Sequence, residues 1–392
     1  MHTSDVLVVG LGAMGSAAAY QLSKTGTKVV GIDQYTPPHT FGSTHGDSRI
    51  TRQATGEGAE YVPLVLRSQQ LWREIEAETN TDLFTSCGVL VMSPSAGKTE
   101  QHGLEDFFVS TVELAESFHI EHEVFGSEEI RHRYPQFNVD DDYRVYLEPG
   151  GGFVRPEAAV SAQLSLAERN GAVLQYNEKV LDIAPDGRGV RVTTDTDIYL
   201  AQKVVVTAGP WITELFPEST LGSLFQVYRQ VLHWFPIDPV KADSFTPEHL
   251  PVYVWTFGDQ QSEYFYGFPA IDGSDGGVKV ATGLFHETTT PENVQREVSD
   301  EETQEMYDYY IRNRMPSLAP QALRSTTCLY TETPDSHFVI DEHPQCENIL
   351  LVSPCSGHGF KHSAAIGEAV AQRVLEGQAD IDLSAFRLDR FI

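Results

Sequence analysis

Residues 5–15 read DVLVVGLGAMG, and this stretch decides the fold. Residues 6–9 form a continuous apolar run, which is typical of a strand buried on both faces of a parallel sheet. Three glycines follow at the spacing G-x-G-x-x-G. Gly10 permits a tight turn, Gly12 lets the backbone approach a pyrophosphate, and Gly15 lets a helix pack on the sheet. The stretch therefore predicts the start of a dinucleotide-binding unit.

The residues that follow complete this unit. Residues 16–22 are rich in small side chains and predict a helix, whose N-terminus would hold the phosphates. Residues 28–33 predict a second strand that ends in Asp33, a carboxylate able to accept hydrogen bonds from a ribose diol. A G-x-G-x-x-G motif alone is weak and can be a purely structural turn, but the full βαβ context favours a bound dinucleotide.

Two kinds of sequence pattern alternate along the rest of the chain. Between residues 211 and 324 the strands are aromatic and alternating, which is typical of an antiparallel sheet. Elsewhere the pattern is α/β: helices are predicted at 63–78, 156–170 and 360–375, and strands at 87–92, 171–176, 203–211 and 348–352.

We therefore predict an α/β (α+β) protein of two discontinuous domains, since 392 residues are too many for one simple core. Residues 1–80, 150–210 and 325–392 would form a Rossmann-like dinucleotide-binding domain. Residues 81–149 and 211–324 would form a substrate and catalytic domain built on a mostly antiparallel sheet.

Composition narrows the class of protein. The chain has 56 acidic and 27 basic residues and a net charge of −29. Because the acids are dispersed and Lys is scarce, we expect a solvated surface adapted to high salt; a specific cationic partner is the alternative. The chain offers no basic stripe for nucleic acid, no apolar run long enough to cross a membrane and no leader, so a soluble cytoplasmic protein is expected.

Cysteine usage adds one candidate site. Four cysteines without a C-x-x-C pair or a zinc spacing indicate a reducing compartment and no metal. Cys328 lies in residues 326–335, TTCLYTETPD, which read as a short strand and turn. A thiol there could tether a large cofactor, and flavins are commonly tethered whereas nicotinamides are not. The alternative is a buried structural thiol.

These motifs together resemble a known family. The Cys328 segment and the N-terminal fingerprint occur with Arg52, Lys279 and the stretches 42–49 (GSTHGDSR), 61–64 (YVPL), 266–269 (YGFP) and 356–361 (SGHGFK). Nearly end to end, the chain resembles the monomeric sarcosine oxidase and N-methyltryptophan oxidase family of FAD-dependent amine oxidases, within the D-amino-acid oxidase-like superfamily.

The resemblance implies a site. FAD would be bound covalently, through its 8α position, to Cys328. Lys279 would promote the reaction of reduced flavin with O2, and a preorganised cation beside nascent superoxide does lower that barrier; a cross-strand ion pair is the alternative. Arg52 and Lys361 would hold the substrate carboxylate. The remaining implied catalytic or cavity residues are Arg49, His45, Tyr266 and His358.

The resemblance also implies the residues around the cofactor. These are Gly10, Gly12, Ala13, Met14, Gly15, Asp33, Ser43, Thr44, Arg49, Ile50, Val180, Cys328, Gly357, His358, Gly359, Phe360 and Lys361. Gly357 and Gly359 would let the backbone reach the flavin ring, and the helix after them would face its pyrimidine end.

The implied activity is oxidation of N-methyl amino acids such as sarcosine to the primary amino acid, an aldehyde and hydrogen peroxide. The partners would be the amine and O2, and the protein would be a monomer. Three alternatives stay open: an oxidase of a cyclic imino acid or D-amino acid, an NAD-dependent dehydrogenase, and a non-catalytic flavin-binding module.

The chain departs from the family pattern beside the expected substrate cavity. Gly283 stands where members carry an active-site histidine, four residues after the lysine, and His286 lies three positions further on. Thr44 occupies a place where some members have histidine, and Pro354-Cys355 replaces a more usual small or apolar pair. These departures leave the preferred amine open.

Overall fold

The computed structural model describes residues 2–96, 106–216, 220–260, 262–283 and 288–391. Its helices are α1 (Ala13–Lys24), α2 (Val62–Thr79), α3 (Phe107–Ser117), α4 (Ser127–Arg133), α5 (Pro156–Arg169), α6 (Ile212–Leu215), α7 (Thr220–Leu224), α8 (Asp300–Glu305) and α9 (Ser363–Glu376). Its strands are β1 (His2–Val9), β2 (Val29–Asp33), β3 (Arg49–Thr51), β4 (Phe84–Thr85), β5 (Val89–Pro94), β6 (Glu123–Gly126), β7 (Tyr143–Glu148), β8 (Gly152–Val154), β9 (Val173–Tyr176), β10 (Val180–Asp186), β11 (Gly189–Thr194), β12 (Ile198–Val206), β13 (Gln226–Phe235), β14 (Val252–Thr256), β15 (Tyr264–Gly267), β16 (Val278–Ala281), β17 (Thr288–Thr289), β18 (Arg324–Glu332), β19 (Val339–His343) and β20 (Cys346–Ser353).

The first sheet carries the dinucleotide-binding unit. Its order is β10-β11-β12-β1-β2-β9, and β20 pairs with β12 and with β19. Five neighbouring strands run parallel to one another, in the order β9, β2, β1, β12 and β20. Antiparallel strands flank them: β11 pairs with β12 and with β10, and β19 pairs with β20. Because the carboxyl ends of parallel strands meet at one edge, the turn after β1 and the end of β2 lie together.

Helices cover one face of this sheet. Helix α1 packs against α5 and α9, and α9 also packs against α2. The approach is close because the facing residues are small: a β-carbon on Gly367 would lie 2.4 Å from the Cβ of Ala17. Leu64, Leu71 and Trp72 of α2 are buried in the same apolar core. The small-residue pattern of α1 thus serves helix–helix packing.

A second sheet forms the other half of the molecule. Its order is β17-β13-β16-β15-β14-β5-β7-β6, with β18 paired to β13, and β3, β8 and β4 form a small third sheet. Only the β14–β5 pair is parallel among the described pairs of the second sheet, so the predicted, mostly antiparallel sheet is confirmed. The division of the chain into domains stays a prediction; β18, which it assigns largely to the first domain, pairs within the second sheet.

The predicted elements are present with shifted ends. The strand predicted at 203–211 ends at Val206 and gives way to a 3-10 turn at Gly209–Trp211. The last helix begins at Ser363, after a 3-10 turn at Phe360–His362. The segment around Cys328, predicted as a short strand and turn, is a strand of nine residues, because its pairing with β13 extends it.

No helix among the described residues is both long and apolar enough to cross a membrane.

Candidate active site

The glycine turn after β1 forms an open cradle. Gly10 has a φ of +85°, and a β-carbon there would lie 2.6 Å from the carbonyl oxygen of Thr207. A β-carbon on Gly15 would lie 1.8 Å from the carbonyl oxygen of Gly10, so the turn and α1 pack without room for a side chain. At Gly12, by contrast, a β-carbon would meet the Thr44 hydroxyl at 3.6 Å. These contacts agree with the three roles predicted for the glycines.

Asp33 lies at the end of β2, beside this turn. One carboxylate oxygen accepts a hydrogen bond from the Leu11 N–H at 2.7 Å and the other from the Tyr35 N–H at 2.8 Å. Burial raises the pKa of Asp33, and the two backbone hydrogen bonds oppose this shift. The imidazole of His39 lies 3.8 Å away. The carboxylate is thus fixed in one orientation at the mouth of the cradle.

A cavity of about 410 Å³ runs from Asp33 to the start of α9. Most predicted site residues line it: Gly10, Gly12, Ala13, Met14, Asp33, Ser43, Thr44, Arg49, Ile50, Arg52, Val180, Tyr266, Gly357, His358, Gly359, Phe360 and Lys361. Four others do not line it and are buried: Gly15, His45, Lys279 and Cys328. The cavity also draws on both sheets, since Tyr266 belongs to β15 and Asp33 to β2.

Cys328 is buried at the wall of this cavity. Its sulfur lies 3.5 Å from a guanidinium nitrogen of Arg49 and 3.5 Å from the carbonyl oxygen of Ser43, both of which line the cavity. Because side chains alternate along a strand, Cys328 and Tyr330 share one face of β18. The Tyr330 hydroxyl lies 3.1 Å from the Tyr266 hydroxyl. The thiol is therefore adjacent to the predicted flavin region.

Lys279 is buried close to the same wall. Its Nζ donates hydrogen bonds to the carbonyl oxygens of Gly46 and Ser48, at 2.8 and 2.6 Å. The ring of Phe268 lies 4.0 Å from Nζ, at a distance typical of a cation–π contact. Burial, and secondly the charge of Arg49, hold the pKa of Lys279 well below its ordinary value. Burial also lowers the pKa of nearby His45, to about 3.

Arg52 and Lys361 converge on one carboxylate, that of Glu57. Oε1 of Glu57 lies 2.6 Å from Arg52 Nη2 and 3.0 Å from Lys361 Nζ. Nδ1 of His358 is 3.8 Å from the same oxygen. Burial lowers the pKa of Lys361 to about 8, and the negative charge of Glu57 opposes that shift. Two cations with a shared carboxylate form a site that can bind a carboxylate group.

Sequence reasoning missed several residues of the cavity wall, and three of them bear on the site. Glu57, Tyr264 and Tyr330 all line it. A signal for Glu57 was available, since it is a single acid between two glycines five residues after Arg52. The two tyrosines could have been found only from strand alternation, because Tyr264 shares a face with Tyr266, and Tyr330 with Cys328.

The arrangement fits a flavin dinucleotide. The Gly12 cradle and the α1 N-terminus, which has no side-chain cap, suit a pyrophosphate, and Asp33 suits a ribose. Within the described part of the chain, the buried Ser43 hydroxyl has no hydrogen-bond partner, as expected if a bound group completes the site. Described His, Cys, Asp and Glu side chains form no group of three or more able to hold a metal ion. Fold and site together define a flavoprotein oxidoreductase.

Comparison with known proteins identifies the family. Residues 5–373 match the family described as FAD dependent oxidoreductase, and the chain belongs to it. FAD is therefore the cofactor, and the predicted fold class and enzyme class are confirmed.

Individual relatives cover almost the whole chain. The monomeric sarcosine oxidase of Streptomyces avermitilis is 40% identical over 378 residues, covering 96% of this chain and 94% of that protein. The N-methyl-L-tryptophan oxidase of Yersinia pestis is 35% identical over 387 residues, with 99% of each covered. The resemblance stated from the motifs is thus confirmed.

A solved structure shares the fold. NikD in its open form, an unusual amino acid oxidase essential for nikkomycin biosynthesis, has a TM-score of 0.83 at 24% identity. The alignment covers 99% of this chain and 98% of NikD.

Proposed function

We propose that the protein oxidises N-methyl amino acids, sarcosine among them, with O2 and water to the primary amino acid, an aldehyde and hydrogen peroxide. The observation that carries this proposal is the convergence of Arg52 and Lys361 on one carboxylate inside the cavity. The names of the 35–40% identical relatives support the same substrate class. FAD, when bound, accepts two electrons from the amine and delivers them to O2.

The protein's own residues would bind and orient the substrate. Arg52 and Lys361 take the substrate carboxylate, and Glu57, which now holds both cations, must give up part of its contacts. Because Glu57 stays buried after this exchange, the loss of part of its pairing opposes binding, and the new charge-assisted contacts to the substrate carboxylate have to offset it. Two directional contacts on the carboxylate fix the amine end toward Tyr266 and Arg49, which line the same cavity.

The remaining site assignments are part of this proposal. Cys328 would carry the FAD covalently, and Lys279 would promote the reaction with O2. Residues 1–80, 150–210 and 325–392 would bind FAD and would also contribute Arg52 and Lys361 to the substrate site, which residues 81–149 and 211–324 complete. We further propose a cytoplasmic monomer adapted to high salt, for which the support is four free cysteines, a net charge of −29 and relatives named as monomeric.

The substrate class is tested by direct assay. Purified holoenzyme is incubated with sarcosine, N-methyl-L-tryptophan, L-proline and D-alanine, and hydrogen peroxide and aldehyde are measured. We expect peroxide and aldehyde in equal amounts from sarcosine, and N-methyl-L-tryptophan shows whether a large side chain is also accepted. Peroxide from L-proline or D-alanine, with none from the N-methyl compounds, would instead support the cyclic imino acid or D-amino acid alternative.

Removal of either cation should impair substrate binding. For Arg52→Met and Lys361→Met separately we expect kcat/KM for sarcosine to fall on the order of 10²-fold, chiefly through KM, because a buried charge-assisted contact is lost. Arg67→Met is the matched control, since Arg67 pairs with Glu368 outside the cavity. An unchanged KM in both cavity variants would contradict the assignment.

Carboxylate binding should also depend on pH through Lys361. The Lys361 cation, with a pKa of about 8, is lost as pH rises, so acetate affinity should fall above that pH. In Glu57→Gln we expect tighter acetate binding at pH 6, because the competing carboxylate is gone. The fall should also begin at lower pH, since Glu57 raises the pKa of Lys361. Acetate dissociation constants from flavin absorbance measure both effects.

The control for this pH effect is Glu60→Gln. Glu60 lies three residues along the chain and contacts His337 rather than Lys361. Its acetate binding should follow that of the unchanged protein at every pH. If Glu57→Gln did the same, Glu57 could not be the partner that sets the Lys361 charge.

A further inference from the structure

Tyr264 lines the cavity, but the proposed reaction gives it no role. Along β15, Phe265 packs into the apolar core of the second sheet, so Tyr264 and Tyr266 face the opposite side. Both line the cavity that contains Arg52, Glu57 and Lys361. Only 8% of Tyr264 is exposed, so its ring is held by its surroundings and cannot swing into solvent.

The hydroxyl of Tyr264 occupies the place of a side chain at residue 283. A β-carbon on Gly283 would lie 1.7 Å from Tyr264 Oη and 2.9 Å from Cζ. Any residue other than glycine at 283 would therefore have to push the buried phenol aside. Gly283 lines the cavity too. The long side chain of Tyr264, which extends from β15, thus fills the space that a short side chain at residue 283 would otherwise take.

The phenol of Tyr264 carries no charge. Burial first, and then the neighbouring Tyr266, Glu332, Tyr310 and Glu57, raise the pKa of Tyr264, so it is uncharged at any physiological pH. The Tyr264 side chain is thus a buried, uncharged part of the cavity wall.

We propose that Tyr264, standing in the space left by Gly283, limits the size of the substrate side chain and restricts the enzyme to N-methyl amino acids with small α-substituents. This inference rests on the proposed function, because it assumes that the substrate carboxylate binds at Arg52 and Lys361. An apolar wall discriminates by size: one methylene group that fits or fails to fit changes kcat/KM by roughly 10- to 200-fold.

Tyr264→Ala removes the wall, and Tyr264→Leu shortens it while keeping an apolar side chain. We expect the ratio of kcat/KM for N-methyl-L-leucine to that for sarcosine to rise at least about tenfold in the alanine variant and less in the leucine variant. Tyr264→Phe keeps the ring and should keep the preference for sarcosine. If the ratio in both shortened variants equals that of the unchanged protein, Tyr264 does not set substrate size.

Ligand binding separates this inference from the proposed function. The dissociation constants of acetate and phenylacetate are measured through flavin absorbance in the holoenzyme and in each variant. Suppose that the affinity for phenylacetate rises relative to that for acetate in Tyr264→Ala, although no N-methyl amino acid is oxidised. In that case the size limit stands and the proposed substrate class fails. If sarcosine is oxidised and neither ratio changes, the size limit alone is overturned. Bound flavin in each variant confirms that the site has folded.

Discussion

Replacement of Cys328 by serine is expected to release the flavin. When the unchanged holoenzyme is precipitated with acid, the yellow colour should stay in the pellet; from Cys328→Ser it should pass entirely into the supernatant as free FAD. The reason is geometric. The Cys328 sulfur lies 3.5 Å from a guanidinium nitrogen of Arg49 and shares a strand face with Tyr330, both of which line the cavity.

Cys355 is the rival anchor, because it lines the cavity directly. Its sulfur accepts a hydrogen bond from the Thr331 N–H at 3.3 Å, and burial raises the pKa of its thiol to about 11. A thiol held protonated is a poor nucleophile. The Cys328 sulfur, by contrast, lies 3.5 Å from a guanidinium nitrogen of Arg49.

Matched serine variants distinguish the two thiols. Cys355→Ser and the more remote Cys346→Ser should both keep the colour in the pellet. Covalent flavin in Cys328→Ser, together with its loss from Cys355→Ser, would move the anchor to Cys355. A mass increase equal to FAD less two hydrogen atoms, one from the thiol and one from the 8α methyl group, on the peptide that contains residue 328 would confirm the expected link.

The fingerprint was predictable because its constraints are local. Gly15 packs against Gly10, and Asp33 accepts a hydrogen bond from Leu11, within one βαβ unit, so their spacing along the chain already contains the geometry. The same holds for helix α2 and for the aromatic alternation of β15. In β15, the spacing of side chains along the strand is enough to tell residues that face the core from residues that face the cavity.

The rest of the site could not be predicted, since it depends on contacts between distant segments. Glu57 meets Lys361 across 304 positions of sequence, and no local pattern states that the two are adjacent. The position of the Tyr264 hydroxyl, in the space that a side chain at Gly283 would take, likewise depends on how β15 and β16 pair. From the sequence, the glycine at 283 is only a departure from the family pattern; the structure shows which side chain takes its place.

Replacement of Lys279 by methionine is expected to slow the reaction of the reduced enzyme with O2 on the order of 10²- to 10³-fold, because a preorganised cation no longer stabilises the charge that develops on oxygen. Anaerobic reduction by substrate should change far less. Methionine keeps the apolar stem that packs against Phe268 and removes the hydrogen bonds of Nζ to Gly46 and Ser48. Stopped-flow absorbance measures the two half-reactions separately.

The pH dependence of the oxygen reaction tests whether charge is the cause. Burial and Arg49 hold the pKa of Lys279 well below its ordinary value, so the cation is present at low pH and lost as pH rises. The oxygen rate of the unchanged enzyme should therefore decline with rising pH, and that of Lys279→Met should lack this decline. Lys203→Met is the control, since Lys203 binds the carbonyl oxygen of Val374 away from the cavity. Equal slowing of both half-reactions would instead mean that Lys279 mainly fixes the 46–48 segment, because its two hydrogen bonds end there.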